Sequence, residues 1–357
     1  MTRENAEWSV KGIHRGIAAL AVLLVYLLWQ GIGASWAAAD APVLIRLGTL
    51  APTGSSYHRA LLEMGEKWRD ATAGNIKLVI FPDGRQGGEA DMVRKMRAGQ
   101  INAGMLTVVG LSDIDRAVAC LQYMPMMFQS WEEVDYVREK LGPQLEKRLL
   151  DKGFVVLCWG DAGWVRFFSK IPVQRPGDLR KMKVFAWAGD SYQIDLMKNL
   201  GYQPITLEVA DILPGLQTGL IDAAAVTPYF ALAGQCDGPA PNMLELNWVP
   251  IVGATVVKKE IYDKFPPQSL EAIRKAAVAA GEKLRAFSRR ENEEAVTAMR
   301  KRGLKTIPVA PEVELEWRHL AESVYPKIRG KMVPADMFDE VQRLLAERRS
   351  SGQGANK

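Results

Sequence analysis

The chain has 357 residues, 48% hydrophobic and 24% charged, with 46 Lys plus Arg against 41 Asp plus Glu and a net charge of +5. That composition excludes a disordered chain, a collagen and a coiled coil, and the length allows two domains of roughly 150 residues each. Basic residues are scattered among acidic ones, so the charge speaks for solubility and no nucleic acid is expected as a partner.

Arg3, Lys11 and Arg15 precede the apolar run Ile17–Trp29, which gives way to small residues and Ala37-Ala38-Ala39-Asp40. A basic start, a short apolar stretch and an A-x-A site predict a secretory signal peptide over 1–39, cleaved after Ala39. The alternative is an uncleaved anchor helix, but 13 unbroken apolar residues before Gln30 fall short of the roughly 20 that span a bilayer. Cleavage removes three basic and two acidic side chains and leaves +4. No later stretch is apolar enough to span, so the mature chain is expected to be exported and, in a bacterium with two membranes, periplasmic.

In chain order, Ile45–Leu47 predicts a strand, and Pro52-Thr53-Gly54-Ser55-Ser56 a loop that caps a helix through Ala60–Ala71. Ile76–Phe81 reads as a strand stopped by Pro82-Asp83-Gly84, followed by a helix over Glu89–Ala98 and a small-residue strand at Ala103–Leu106. Phe154–Trp159 and, after a break at Gly160-Asp161-Ala162-Gly163, Trp164–Ser169 read as strands, as do Lys183–Trp187 and Ala223–Thr227. Helices are expected at Ser191–Leu200 and Ala210–Thr218. This alternation predicts α/β units on mostly parallel sheets. Pro267–Arg302 carries apolar residues at helical intervals; at 1.5 Å per residue such a helix spans about 50 Å and must cross between domains or bend. Leu315–Val324 and Met337–Arg348 predict further helices, and Ser350–Lys357 a disordered polar tail.

Chemistry-bearing motifs are absent. His14, His58 and His319 match no HExxH spacing, and the sequence holds no GK[ST] phosphate loop, no GxGxxG after a strand and no GxSxG elbow. Asp113-Ile114-Asp115 lacks the glycine and distal glutamate of a calcium loop. Cys120, Cys158 and Cys236 lie far apart with no CxxC pair and read as small buried apolar residues. No catalytic residue, metal or cofactor is expected.

The run Ile45-Arg46-Leu47-Gly48 with Pro52 and His58, then Thr72-Ala73-Gly74 and Phe81-Pro82-Asp83-Gly84-Arg85-Gln86-Gly87-Gly88-Glu89, resembles the opening of DctP-type solute receptors of TRAP transporters. Met124-Pro125-Met126-Met127-Phe128, Pro176-Gly177-Asp178-Leu179 and Leu216-Gln217-Thr218-Gly219-Leu220-Ile221-Asp222 continue the likeness in order, over most of residues 43 to 340. The resemblance implies an α/β two-domain periplasmic binding protein of Venus-flytrap type with a long helix spanning both domains. Its implied division is 43–162 plus 251–290 for domain I and 163–250 plus 291–340 for domain II. Closure on a small organic solute would then present both docking faces to the small and large membrane subunits of a TRAP permease.

Family members hold an organic acid with an arginine that forks onto its carboxylate. The positions that the resemblance assigns to two arginines are Phe185 and Val165 here; that of the pocket asparagine is Val226, and that of an acidic residue used by some members is Thr107. A buried carboxylate without a cation keeps a desolvation cost of several kcal/mol. Burying ~250 Å² of apolar ligand surface instead contributes roughly 6 kcal/mol before association costs. A cleft lined by Val165, Phe185, Trp187, Val226 and Tyr229 is therefore expected, for a ligand less acidic or more apolar than a dicarboxylate. Plain core packing is the competing role for Phe185 and Val226. Arg166 reaches the cleft only if a bulge or register slip turns its face. Asp190 and Thr227 are polar candidates, and Asp190 in the cleft favours a cationic or polyol ligand. Two other functions stay open: a ligand sensor docking to a membrane sensor kinase, and an exported hydrolase on the same scaffold.

Overall fold

The computed structural model describes residues 42–354. The expected signal peptide, and the end of the expected tail beyond Gly354, lie outside the described residues. In chain order the elements are β1 (Val43–Thr49), α1 (Ser56–Ala71), β2 (Ile76–Phe81), α2 (Glu89–Arg97), β3 (Ala103–Thr107), α3 (Val108–Ile114), α4 (Trp131–Asp151), β4 (Phe154–Trp164) and β5 (Arg166–Ser169). There follow α5 (Pro176–Leu179), β6 (Lys183–Trp187), α6 (Ser191–Asn199), β7 (Gln203–Leu207), α7 (Ile212–Thr218), β8 (Ala223–Val226), α8 (Pro228–Ala233), β9 (Asn242–Leu244) and β10 (Pro250–Lys258). The chain closes with α9 (Lys259–Tyr262), α10 (Leu270–Lys301), β11 (Lys305–Ile307), α11 (Pro311–Ile328) and α12 (Ala335–Gly354).

Two sheets form, of five strands in the order β2-β1-β3-β10-β4 and of six in the order β11-β9-β5-β8-β6-β7. In each, the strands joined by helical crossovers run parallel, and one strand next to a crossing between the lobes, β10 in the first sheet and β5 in the second, runs antiparallel to both of its neighbours. The expected break at Gly160–Gly163 does not occur. β4 continues to Trp164 because β10 supplies a partner along its whole length, and the turn to the second sheet comes at Val165, which exchanges backbone bonds with Trp248 and Val249. β10, β9, β7 and the 21-residue helix α4 are elements that the sequence pattern did not mark.

Local chemistry explains the boundaries. Ser55 caps α1 by accepting from the His58 amide, and α1 turns Leu61, Met64 and Trp68 into the core. The Trp68 indole donates to the Ile273 carbonyl at 3.0 Å, which fastens α1 to α10. As expected, α10 is one long helix. Ile273, Ala277 and Ala280 pack in the first lobe, while Ala295, Val296 and Met299 pack in the second.

A second helix also bridges the lobes. Trp317 and Ala321 of α11 belong to the second lobe's core, while Val324 and Ile328 belong to the first's. Met337, Phe338, Val341 and Leu344 of α12 pack in the same first-lobe cluster as Val324 and Ile328. Arg349 fixes the arrangement by pairing with Glu133 of α4 at 2.7 Å. The tail expected from Ser350 is likewise helical to Gly354, as a continuation of α12.

Candidate functional site

Between the lobes lies a cavity of about 110 Å³. The strand ends place its walls: Met105 and Thr107 of β3, Thr255 of β10, Phe185 and Trp187 of β6, and Val226 with Thr227 after β8. Side chains alternate along a strand, so Phe185 and Trp187 share a face and reach the cavity together. Phe185 also packs in the second lobe's core, so both roles weighed for it are present at once.

A second chamber of about 160 Å³ adjoins the first and shares Val165, Phe185, Trp187, Ala225 and Ile251 with it. It extends along Tyr123, Asp190, Trp248 and Trp317 toward α11. Among the described residues, no Lys or Arg lines either chamber; the charged side chains are Glu89, Asp161 and Asp190, all acidic.

Each carboxylate has its own surroundings. Glu89, 3% exposed, accepts from the Thr107 and Gly110 amides at 2.8 and 2.9 Å and bonds the Thr107 hydroxyl at 2.7 Å. Burial nonetheless pushes its pKa up, because those dipoles only partly replace water. Thr107 thereby caps α3 and anchors Glu89, which fixes the floor of the first chamber. Asp161 is held by Arg138 at 2.7 Å and Arg289 at 2.8 Å, so its charge is compensated within the protein. Asp190 caps α6 through Oδ1, which accepts from the Gln193 amide at 3.0 Å, while Oδ2 is buried without a partner. Burial raises the pKa of Asp190 as well.

Unpartnered hydroxyls complete the first chamber. The Tyr57, Thr227 and Thr255 oxygens are buried without a hydrogen-bond partner, and burial pushes the Tyr57 phenol up. Such groups cost free energy unless something in the cavity bonds them.

Thr107, Val165, Phe185, Trp187, Val226 and Thr227 thus meet at the first chamber, and Asp190 lies in the second. Two candidates lie elsewhere. Arg166 lines neither chamber and pairs with Glu293 of α10 at 3.0 Å. Tyr229 is carried away because Pro228 starts α8, which ends the strand alternation; Phe230 lines the cavity in its place. Tyr229 instead packs its ring against Tyr57 at 5.6 Å, tilted by 55°, and its amide donates to Asn292 of α10. Glu89, Tyr57, Thr255, Gln122 and Tyr123 were not foreseen. Thr255 left a signal, as the lone hydroxyl in the otherwise apolar run Ile251–Val257.

The lobes touch at the rim. A Cβ built on Gly88 would meet the Glu208 carboxylate at 2.5 Å, and one on Gly189 would meet Ala90 at 3.3 Å. Behind the cavity, Asn292 joins three elements: it donates to the Ala162 and Ser288 carbonyls and accepts from the Tyr229 amide. Among the described residues no group of three or more His, Cys, Asp or Glu is placed to hold a metal, and no helix is long and apolar enough to cross a membrane.

Comparison with known proteins places this geometry. The family model for DctP, bacterial extracellular solute-binding protein, family 7, matches residues 47–331. The 2,3-diketo-L-gulonate-binding periplasmic protein YiaO of Escherichia coli (strain K12) is 25% identical over 332 residues, 88% of this chain and 97% of its own length. The C4-dicarboxylate-binding periplasmic protein DctP of Rhodobacter capsulatus is 20% identical over 292 residues, 80% of this chain and 85% of its own. Among solved structures, a TRAP periplasmic solute-binding protein from Haemophilus influenzae RdAW with bound L-gulonate superposes with a TM-score of 0.77 at 18% identity, covering 85% of this chain and 99% of that one. Another, from Ralstonia eutropha H16 with bound (S)-2-acetolactate, gives 0.78 at 20% identity, again covering 85% and 99%.

Proposed function

The chain belongs to the DctP family of bacterial extracellular solute-binding proteins, and on that premise we propose that it is a periplasmic receptor that closes on an organic solute less acidic or more apolar than a dicarboxylate and delivers it to a TRAP permease. The observation that carries this reading is the wall of the cleft: Val165, Phe185 and Val226 line it, and no Lys or Arg does among the described residues. The relatives and neighbours above bind gulonates, dicarboxylates and acetolactate, all of them acids. A dicarboxylate entering this cleft would give up water for apolar walls and the Glu89 carboxyl, a loss of several kcal/mol with no cation to offset it.

Closure follows from how the lobes are joined. Two strand crossings and the helices α10 and α11 connect them, so motion is confined to bending about those crossings. The division we propose is 43–162 plus 251–290 against 163–250 plus 291–328, with α12 docked on the first lobe. The experiment is mass spectrometry of solute released from protein purified without refolding, followed by a thermal-shift panel. A solute less acidic or more apolar than a dicarboxylate is expected, and saturation a hundredfold above Kd adds about 2.7 kcal/mol of stability. Recovery of a dicarboxylate or a uronate overturns the reading. A Phe185→Arg variant is expected to gain affinity for organic acids.

A further inference from the structure

We propose that the second chamber seats the ammonium group of an elongate organic amine whose apolar stem lies in the first chamber, an inference that rests on the apolar-cleft reading above and specifies its ligand. Two buried acceptors line this chamber from opposite lobes with no cation beside them: Asp190 Oδ2 after β6, which has only the Tyr123 phenol next to it, and Gln122 Oε1 at the end of the turn after α3. Their residues are 6% and 4% exposed. A buried acceptor without a donor is costly, and two facing one cavity are met together by a group that carries several N–H donors. An ammonium carries three.

The remaining walls agree with a cation. Tyr123, Trp187, Tyr202, Trp248 and Trp317 all line this chamber, and aromatic faces attract organic cations through their quadrupoles. No Lys or Arg among the described residues competes for Asp190 there. The Tyr123 phenol is pushed up first by its burial and then by the Asp190 carboxylate beside it. Asp190 itself is held toward its neutral form by burial; an ammonium reverses that balance by supplying the missing opposite charge.

The stem has a path. Val165, Phe185, Trp187, Ala225 and Ile251 bound both chambers, so the proposed stem follows the apolar surface that the Glu89 end and the Asp190 end share. An amine engaging Gln122 on one lobe and Asp190 on the other makes both bonds only when the lobes are together. It therefore binds the closed form preferentially, which is what a receptor needs to report occupancy.

The test is isothermal titration of the full-length chain with three matched probes: 2-phenylethylamine, 2-phenylethanol and 3-phenylpropanoate. The amine is expected to bind at least tenfold tighter than the alcohol, and the acid weakest. Asp190→Asn keeps the cap on α6, since Asn serves there as well as Asp, and is expected to bring the amine down to the level of the alcohol. Gln122→Leu is expected to narrow the preference by about threefold to fivefold, and it decides the matter should Asp190→Asn fail to fold. Equal binding of amine and alcohol, or an amine preference that survives both substitutions, overturns the inference, because Asp190 and Gln122 then only hold water. If the alcohol binds without any preference for the amine, the apolar-cleft reading stands and this inference alone fails; if only acids such as succinate or galacturonate bind, both fall.

Discussion

The hinge and the cleft lie side by side and treat polar groups in opposite ways. At the hinge, Asp161, Arg138, Arg289 and Asp135 form a network in which every charge has a partner, and Asn292 uses both ends of its amide. In the cleft, the Tyr57, Thr227 and Thr255 hydroxyls and the Asp190 carboxylate keep an unbonded oxygen. A polar group satisfied within the fold stabilises it; one left unsatisfied against a cavity is reserved for what enters. Substitutions in the two regions should therefore register in different measurements.

The largest effect is expected at Asp161. Asp161→Ala takes one of two carboxylate partners from Arg138, whose side chain is 9% exposed, and one of two from Arg289. A loss of about 3–5 kcal/mol is expected in urea unfolding; a loss below about 1 kcal/mol would erase the contrast between the regions. Gly163→Ala comes next. Gly163 has φ +115°, and a Cβ there would lie 2.4 Å from the Asn292 amide. Backbone strain alone costs about 1–3 kcal/mol, and displacement of Asn292 adds to it, so a destabilisation of at least about 2 kcal/mol is expected in the same assay.

Cleft hydroxyls should behave otherwise. Thr255→Val and Thr227→Val keep shape and remove oxygens that bond nothing, so stability without ligand is expected to stay within about 0.5 kcal/mol or to rise. A loss above about 1.5 kcal/mol in ligand-free unfolding would show that these hydroxyls are structural after all.

The smallest effect is a slope with pH. Burial raises the pKa of both Glu89 and Asp190 in the folded chain, and Asp113 near each adds to the rise. Folded protein then binds more protons than unfolded protein, so these two groups favour folding most below the ordinary carboxylate range near pH ~4. Their contribution declines as pH climbs from there through the raised values. Asp190→Asn is expected to make that decline shallower in thermal melts between pH ~4 and ~7, and an unchanged slope would mean that Asp190 is already compensated.

Much of the frame was legible in sequence because it rests on local patterning. The apolar runs at Ile76–Phe81 and Lys183–Trp187 form strands as expected, and the Ala- and Glu-rich stretch after Pro267 forms one long helix. α4 escaped notice because its Gly142 and Pro143 interrupt the helical pattern, although its packing on β4 and α12 carries the helix through them. β10 escaped because a strand buried on both faces shows no alternation. Arg166 and Tyr229 depended on contacts distant in sequence, with Glu293 of α10 and with Tyr57 of α1.

The sequence by itself determined the family and the α/β class, since those depend on residue identity and near-neighbour order. Tertiary structure alone decided which polar atoms are left without partners. Asp190 and Gln122 lie 68 positions apart, and only the meeting of the two lobes brings them into the lining of one chamber.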